Sequence, residues 1–288
     1  MSQIISLDIG TGFVKACSIH NRVRFPSLYA YRDTDPWENG KKNGTIIEGS
    51  GYDAVNIAKH PSAVILRPVR EGIPSNKTAF MAVVKQAIKN LEISNDDILE
   101  TSIIIGLPYH AAKDATKFPS FVRKITNCRD VIVVPQTIGT LMASERKDGI
   151  VLAIGQGTTE IVAFDNLKPI LGRSIPQACD YVYQGANDLE HLNSNKPNPK
   201  RVEMLADIIS ESLASFKTNL SANNSYDIIV SGGGLLVSGL HNQLKRKIAD
   251  SLHTVKDPIF SNAVGMLEYA KSAMIPSTSP SSQTPVSL

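Results

Sequence analysis

Two short stretches of the sequence carry glycines and polar residues at the same spacing. They read SLDIGTGFVK at residues 6–15 and VLAIGQGTTE at residues 151–160. Aligned on their glycines, the stretches set Asp8 of the first against Ala153 of the second. A glycine turn between two strands can present backbone N–H groups to an anion, because glycine has no Cβ to block close approach. Two such turns that face each other could hold a polyphosphate between them.

The first stretch also has side chains that suit nucleotide phosphates. Thr11 and Gly12 could donate hydrogen bonds from hydroxyl or backbone groups, and Lys15 could supply a positive charge. Asp8 is suited to a hydrated divalent cation that bridges the phosphates. An isolated DxGxG pattern is more often an ordinary tight hairpin. Its meaning therefore depends on the rest of the chain.

A third glycine cluster, at residues 232–234, follows an apolar run and precedes a predicted helix. This arrangement suits the close approach of backbone to a ligand. Two other motifs that bind nucleotides are the dinucleotide-binding fingerprint and the P-loop. The sequence has neither a GxGxxG after its first strand with an acidic residue downstream nor a GxxxxGKS or GxxxxGKT pattern. The three clusters favour a nucleotide site of another type.

The elements around the glycine stretches repeat along the chain. A meander of three strands is predicted by IISLDIG, FVKACSI and NRVRFPSLY, and a second one by GIVLAIG, TTEIVAF and KPILGRSI. TSIIIGLP and DVIVVP predict further buried strands, and YDIIVSGGG predicts a strand that enters the triple-glycine turn. Two copies of strand, glycine turn and strand indicate a gene duplication within a mixed α/β fold.

Apolar residues at helical spacing predict three longer helices. Ser75 can cap the first, which carries Phe80, Val83, Val84, Ala87, Ile88 and Leu91. The second carries Val202, Leu205, Ala206, Ile209, Leu213, Phe216 and Leu220 on one face, and the third includes Leu240, Leu244 and Ile248. A short helix in QTIGTLMASER leads into the second glycine stretch.

Composition narrows the class of protein. The 288 residues are 42% hydrophobic, which is enough for two ordinary domains or one duplicated domain. The net charge of +3 comes from Lys and Arg mixed with acids, so direct nucleic-acid binding is not expected. Cys17, Cys128 and Cys179 are far apart, and the six histidines lack metal-ligand spacing. Because the cysteines form no CxxC pair, we expect a reducing cytoplasmic location. With no apolar run of membrane length and no leader segment, we expect no membrane anchor and no processing.

The order of the motifs resembles the actin superfamily. Five stretches from Ile4 to about Met274 carry the resemblance: LDIGTGFVK, IIGLPYH with VVPQTIGTLMAS, VLAIGQGTTE, DIIVSGGGLLVSGL and DPIFSNAVGMLEYA. RPVREGIPSNKTAF also resembles a segment of the filament proteins MreB and MamK, and the IIGLP stretch is similar to ParM-like and archaeal actin-like proteins. The resemblance implies a duplicated actin-like, ribonuclease H-like α/β fold in which two halves with mixed sheets flank a nucleotide cleft.

The resemblance also implies how the chain is divided. The first half would span residues 1–147 with a small insert at about 26–70, and the second would span 148–275 with a small insert at about 187–224. The inserts would shape the filament interfaces, and Trp37 would lie in loops of the first one. The last residues, 276–288, are rich in Pro, Ser and Thr and are predicted to be disordered because they cannot bury enough apolar surface.

Carried over residue by residue, the resemblance implies a role for each candidate site residue. Asp8 would hold Mg²⁺ through water, and Lys15 would contact the phosphates of ATP or ADP. Gln136 would orient the water that attacks the γ-phosphate, with Glu160 or Thr159 assisting. The other nucleotide contacts would come from Gly10, Thr11, Gly12, Gly155, Gln156, Gly157, Thr158, Gly185, Asp188, Gly232, Gly233 and Gly234.

Ala153 is the one departure from the superfamily pattern, which has Asp at the start of the second phosphate motif. That carboxylate lies near the water shell of the metal and the attacking water, and a methyl group can accept a hydrogen bond from neither. We expect ATP binding to persist and turnover to fall by on the order of 10²-fold. Ala153 could mark a natural lineage of slow ATPases or a substitution made to trap the ATP-bound state, and the retention of the other motifs favours the second.

Three classes of function stay open at the level of sequence. The leading one is an actin-like ATPase that polymerises on binding ATP, for plasmid segregation, cell shape or organelle positioning, with an adaptor linking the filament to cargo. The second is a non-polymerising nucleotide-binding adaptor of the FtsA or PilM type, which Ala153 supports. The third is a phosphotransferase of the sugar-kinase branch, which the short region from Asn187 to Asn224 disfavours.

Overall fold

The computed structural model of the chain describes residues 3–34, 45–113, 115–183, 196–220, 226–248 and 251–274. Its strands are β1 (Ile4–Ile9), β2 (Phe13–Cys17), β3 (Arg22–Pro26), β4 (Tyr29–Asp33), β5 (Ile46–Ser50), β6 (Val64–Leu66), β7 (Val69–Arg70), β8 (Ile73–Pro74), β9 (Ser102–Leu107), β10 (Asp130–Pro135), β11 (Gly149–Ile154), β12 (Thr159–Asp165), β13 (Lys168–Ile175), β14 (Ile228–Ser231) and β15 (Leu252–Thr254). The predicted mixed α/β fold is confirmed.

The helices are α1 (Tyr52–Ile57), α2 (Lys77–Asn90), α3 (Asn95–Leu99), α4 (Tyr109–Lys113), α5 (Phe118–Thr126), α6 (Thr137–Ala143), α7 (Cys179–Val182), α8 (Pro199–Lys217), α9 (Leu240–Lys247) and α10 (Ser261–Met274). A 3-10 turn spans Gly233–Leu236. Among the helices within the described ranges, none is both long and apolar enough to cross a bilayer.

Two large sheets have the same strand order. Sheet 1 runs β3-β2-β1-β9-β10 and sheet 2 runs β13-β12-β11-β14-β15. In each, three antiparallel strands are followed by two parallel ones. The two predicted meanders are therefore present, and the inner strands β9 and β11 are buried along their whole length, as apolar runs in parallel pairs usually are.

Each large sheet has helices on its outer face. The side chains of Leu7 and Ile105 in sheet 1 pack against α2 and α5, and those of Leu152 and Val230 in sheet 2 pack against α8 and α9. A separate apolar cluster fills the space between the sheets and includes Ala153. Because strand residues alternate between faces, the residues next to these core positions face the other sheet.

The structure corrects the predicted start of α2. Ser75 lies one residue outside the cap, and its Oγ donates to the carbonyl of Arg67 at 3.1 Å. The N-cap is Asn76, whose Oδ1 accepts from the backbone N–H of Ala79 at 2.9 Å. Asparagine and serine cap helices about equally well, so sequence preference alone cannot choose between adjacent candidates.

The predicted strand NRVRFPSLY is divided between two sheets. β3 ends at Pro26, and β4 begins at Tyr29 in a small sheet of order β5-β4-β6. The backbone N–H of Ser27 donates to the carbonyl of Gly12 at 2.9 Å, which draws the connection towards the first glycine turn. This small sheet with α1 falls within the predicted insert at 26–70. Trp37, the tail at 276–288 and part of the insert at 187–224 lie outside the described residues.

Helices α6 and α10 cross between the two large sheets. α6 follows sheet 1 in sequence and packs on β11 and β14 of sheet 2, whereas α10 follows sheet 2 and packs on β1 and β9 of sheet 1. A Cβ added to Gly139 of α6 would lie 2.0 Å from the carbonyl oxygen of Asn262, and one added to Gly265 of α10 would lie 1.8 Å from that of Gly139. The two helices therefore touch backbone to backbone.

Candidate functional site

A cavity of about 400 Å³ lies between the two large sheets, at the ends of their central strands. It is bounded by the turns that follow β1, β11 and β14. The predicted site residues that line it are Asp8, Gly10, Thr11, Gly12, Lys15, Gln136, Ala153, Gly155, Gln156, Gly157, Thr158, Gly232 and Gly233. Residues far apart in sequence are thus brought to one place.

The two glycine turns that line the cavity face each other, and their tips are in direct contact. A Cβ added to Gly12 would lie 1.5 Å from Oε1 of Gln156, and one added to Gly157 would lie 2.9 Å from Oγ1 of Thr11. Each glycine therefore gives room to a side chain of the opposite turn. The predicted pair of facing turns is what the structure shows.

Each turn is closed by the same backbone hydrogen bond. The N–H of Gly10 donates to the carbonyl of Phe13 at 3.1 Å, and the N–H of Gly155 donates to the carbonyl of Thr158 at 2.9 Å. The equivalence of the two bonds follows from the equal spacing in the sequence. It leaves other N–H groups of each turn in place to meet an anion.

Asp8 and Lys15 form a buried ion pair at the first turn. They lie directly opposite each other in the β1–β2 pair, so both side chains leave the same face of sheet 1. Lys15 Nζ lies 2.7 Å from Asp8 Oδ2, with side-chain exposures of 17% and 4%. The same ammonium would be 3.4 Å from a Cβ on Gly10, which places it over the turn. A buried carboxylate requires such a partner.

Glu160 is buried behind the cavity and does not line it. Its Oε2 accepts from Gln136 Nε2 at 2.7 Å, and its Oε1 accepts from the backbone N–H of Tyr109 at 2.9 Å. Burial raises the pKa of this carboxyl to about 7, the two hydrogen bonds oppose the rise, and the nearby charge of Asp8 adds to it. Ala153 lies directly opposite Glu160 in the β11–β12 pair.

Gln136 connects Glu160 to the cavity. An ionised carboxylate only accepts hydrogen bonds, so the amide of Gln136 must present Nε2 to Glu160, and its Oε1 is then the acceptor available to a group in the cavity. The backbone N–H of Gln136 donates to the carbonyl of Leu107 at 2.8 Å, which fixes the start of α6. Glu160 is thus hydrogen-bonded to a side chain that lines the cavity.

Two other predicted residues lie beside the cavity without lining it. Thr159 is buried, and its Oγ1 donates to the carbonyl of Gln177 at 2.9 Å, so it supports the segment that follows β13. Gly234 packs on β11, where an added Cβ would lie 2.2 Å from Cγ2 of Ile154. Both positions are explained by packing.

Two glycines in the turn after β14, Gly232 and Gly233, have different roles. Gly232 has a φ of 94°, and a Cβ there would lie 2.3 Å from the carbonyl oxygen of Ile154. This combination of left-handed backbone and close approach requires glycine. A Cβ on Gly233 would meet nothing within 4 Å, and Gly233 lines the cavity. Gly232 shapes the turn, and Gly233 leaves room for a ligand.

Gly185 and Asp188 lie outside the described residues, and the structure offers a different acid. Asp180, in the first turn of α7, lines the cavity, and its backbone N–H donates to the carbonyl of Gln156 at 2.9 Å. The family resemblance had pointed to an acid further along the chain, Asp188. The signal that could have found Asp180 is its position as the first acid after the second meander ends at Ile175.

Arg24 is another cavity residue that the sequence motifs missed. It lies on β3 directly opposite Lys15, and its guanidinium carbon is 4.7 Å from the ring centroid of Phe13. Both Arg24 and Phe13 line the cavity. The antiparallel alternation of the predicted meander was a sufficient signal, because a residue opposite Lys15 must share its face.

The residues of the cavity fit ATP with Mg²⁺ better than a metal bound by protein alone. Within the described part of the chain, His, Cys, Asp and Glu form no group of three or more that could hold a metal. Mg²⁺ usually keeps several waters and takes one or two carboxylates together with substrate phosphates. Asp8 and Asp180 line the cavity, which matches that requirement.

Comparisons with known proteins connect this geometry to a family. Residues 6–139 match the family model described as actin like proteins N terminal domain. A search of curated proteins found no match.

Among solved structures, the chain is similar to a MamK double helical filament, with a TM-score of 0.77 and 18% identity over 93% of this chain and 98% of that one. It is also similar to MreB 5 of Spiroplasma citri bound to AMPPNP, with a TM-score of 0.75 and 16% identity over 95% and 97% of the two chains. The ADP-bound form of that protein has a TM-score of 0.71 at 16% identity, again over 95% and 97%. These likenesses confirm the predicted fold.

Proposed function

We propose that this chain, whose residues 6–139 match the actin-like N-terminal domain and whose fold is that of MamK and MreB 5, is an actin-like protein that binds ATP with Mg²⁺ between its two large sheets and polymerises into filaments. The observation that carries the proposal is the pair of glycine turns that face each other across one cavity. The first of these turns has the ammonium of Lys15 over it. Binding sites for small molecules commonly have volumes of about 300–1,000 Å³, and this cavity falls in that range.

The phosphates would lie between the two turns. Backbone N–H groups from both turns would donate to the phosphate oxygens, and Lys15 would add a positive charge. Asp8 would hold Mg²⁺ through water, and the metal would supply charge neutralisation to the phosphates. The turn at Gly233 would receive the nucleoside end. The solved relative MreB 5, bound to AMPPNP, supports a nucleotide in this fold.

Hydrolysis would depend on Gln136 and would be slow. Its Oε1 is the acceptor that can orient a water for attack in line with the terminal phosphate, and the buried carboxylate of Glu160 holds the amide in that orientation. Ala153 removes a second acceptor from the same region. The proposed activity is therefore an ATPase with strong binding and impaired turnover.

Filament formation is proposed from the fold and from its relatives. The solved MamK structure is a double helical filament, and it covers nearly all of this chain. The partner in the polymer would be a second copy of the chain, and an adaptor would link the polymer to its cargo. Plasmid segregation, cell shape and organelle positioning remain the candidate roles, and the cytoplasmic location inferred from the cysteines stays a prediction.

Sedimentation tests the proposal directly. The chain should pellet at high speed with ATP and Mg²⁺ and remain in the supernatant without nucleotide. Lys15→Met should not pellet, whereas Arg123→Gln, on the outer side of sheet 1 in α5, should behave as wild type. A wild-type chain that stays monomeric at high concentration with ATP and Mg²⁺ contradicts the filament proposal.

A non-polymerising nucleotide-binding adaptor is the second candidate, and Ala153 is the observation that favours it. An adaptor needs bound nucleotide to keep its conformation but does not need to hydrolyse it. The carboxylate missing at position 153 would therefore not impair an adaptor. The two proposals differ in one outcome. A chain that binds ATP with high affinity and shows no ATP-dependent sedimentation or light scattering is the adaptor.

A further inference from the structure

We infer that Arg24 is a second phosphate-binding cation of the cavity, in addition to Lys15. The inference rests on the proposed nucleotide function and adds a specificity-determining residue to it. Arg24 lies in none of the motifs from which the site was predicted. It reaches the cavity from β3, the outermost strand of sheet 1 on that side.

The register of β2 and β3 places the two cations side by side. Lys15 and Arg24 are directly opposite each other in an antiparallel pair, where Cβ atoms are about 5 Å apart and side chains leave the same face. The guanidinium of Arg24 lies over the ring of Phe13, with 4.7 Å between its central carbon and the ring centroid. Because that ring also lines the cavity, the contact holds the charge at the cavity wall.

The surroundings of Arg24 leave its charge available for a ligand. Like charges directly opposite on neighbouring strands are unfavourable, and Lys15 is compensated by Asp8 at 2.7 Å. Among the residues that the structure describes, no carboxylate is paired with Arg24. A planar guanidinium can bind two oxygens of one phosphate at once, so a nucleotide phosphate would supply the missing anion.

Arg22, two residues earlier on the same face, shows what a structural arginine does in this strand. It lies 2.7 Å from Asp257 and over the ring of Phe260, and so ties β3 to the segment after β15. Arg24 has the ring contact without the carboxylate. Arg22 therefore cross-links two elements of the fold, whereas the charge of Arg24 is directed at the cavity.

The charges of the cavity give Arg24 a specific consequence. Ala153 removes a carboxylate and Lys15 lies 2.7 Å from Asp8, so Arg24 adds a further positive charge to a cavity that Asp180 also lines. Nucleotide binding should therefore persist in part without a divalent cation, because Arg24 takes up some of the phosphate charge that Mg²⁺ would otherwise neutralise.

The test is the affinity of Arg24→Gln for ATP, ADP and adenosine, measured by calorimetry with Mg²⁺ and again with EDTA. We expect ATP and ADP to bind about threefold to tenfold more weakly, as for loss of one charged hydrogen bond at a partly exposed site. Adenosine binding should not change, and the loss for ATP should be larger in EDTA. Arg24→Lys should recover part of the affinity, and Arg123→Gln should match wild type.

The outcomes distinguish failure of the role inferred for Arg24 from failure of the proposed nucleotide binding. If Arg24→Gln binds ATP as tightly as wild type in both buffers, or loses adenosine to the same extent as ATP, Arg24 is not a phosphate ligand. If the wild-type chain binds no ATP, the proposed function itself is wrong. Thermal melting without nucleotide should show that Arg24→Gln is at least as stable as the wild type. If it is less stable, the ATP affinities of Arg24→Lys and the wild type are compared instead.

Discussion

Ala153 lies directly opposite Glu160 on strands β11 and β12, at the register position where Asp8 lies opposite Lys15 on β1 and β2. One copy of the repeat thus holds a buried ion pair, and the other holds a methyl group beside a buried carboxyl. An aspartate at position 153 would face Glu160 as a second carboxylate, with the two Cβ atoms about 5 Å apart. The substitution therefore bears on both catalysis and the charge state of Glu160.

Ala153→Asp should raise ATP turnover, because it restores an acceptor beside the attacking water. We expect an increase of about tenfold or more over wild type. Ala153→Asn is the matched control, since it has the same shape without the charge. Single-turnover phosphate release is the measurement. If the Asp variant is no faster than the Asn variant, the methyl group at position 153 is not what limits hydrolysis.

The unfolding free energy should depend on pH through Glu160. Its folded pKa of about 7 lies above the ordinary value of 4.5, so the folded state binds a proton that the unfolded state has lost between these pH values. The contribution of Glu160 to the free energy of unfolding should thus be largest below pH 4.5, fall as the pH rises to 7, and level off above it. The contribution is on the order of 3 kcal/mol from the size of the shift.

Glu160→Gln is the control for this pH dependence. A glutamine can still accept from the N–H of Tyr109, and Gln136 can flip its amide to accept from the new side chain. Both proteins should therefore fold, and denaturant titrations from pH 4.5 to 8 should show that the free energy of unfolding depends less on pH in Glu160→Gln than in the wild type. The same dependence on pH in both proteins would contradict the raised pKa of Glu160.

Turnover should also follow the ionisation of Glu160. Above pH 7 the carboxylate holds Nε2 of Gln136 and leaves Oε1 for the water, whereas a protonated Glu160 allows the amide to flip. We expect the rate to rise between pH 6 and 8, and the rise to disappear in Glu160→Gln. A rise that persists in the variant would assign the pH dependence to another group.

Lys15→Met should abolish nucleotide binding and also destabilise the fold, because it leaves the carboxylate of Asp8 buried without a cation. The loss should be about 3 kcal/mol. Adding Asp8→Asn to the same chain should recover most of the stability and none of the binding. Chemical denaturation and ATP calorimetry separate the two effects. A double variant that binds ATP would show that Lys15 only neutralises Asp8.

Gly233→Ala and Gly232→Ala should have opposite effects. The methyl group of Gly233→Ala would project into the cavity, so the protein should unfold like wild type within about 0.5 kcal/mol and bind ATP at least fivefold more weakly, by about 1 kcal/mol or more of steric cost. Gly232→Ala would meet the backbone of Ile154 at a positive φ and should cost about 2 kcal/mol or more. Equal effects of the two changes would contradict the assigned orientation.

Sequence patterns predicted the fold because its central strands are continuous apolar runs that end at glycines. Asp8 and Lys15 could be placed together from the strand alternation alone. The facing of the two turns could be expected from the repeat, although only the structure shows that Gly12 gives room to Gln156. Local patterns succeed here because the contacts lie within one hairpin or between two copies of it.

Contacts between distant segments were beyond such patterns. Glu160 was expected at the cavity, but it lies behind Gln136. Its carboxylate accepts a hydrogen bond there from the backbone N–H of Tyr109, at the start of α4. Asp180 was missed because α7 has only four residues and too short a periodicity to detect. Arg24 was missed for a different reason, since it lies on a strand that carries no motif.

Helices α6 and α10 meet where Gly139 and Gly265 have no side chains, and each helix rests on the sheet that belongs to the other's part of the chain. The gap between the two sheets at this crossing is therefore set by two missing methyl groups. Gln136, directly before α6, and Asn262 of α10 both line the cavity. We therefore expect a larger residue at Gly139 or Gly265 to weaken ligand binding, although neither glycine lines the cavity.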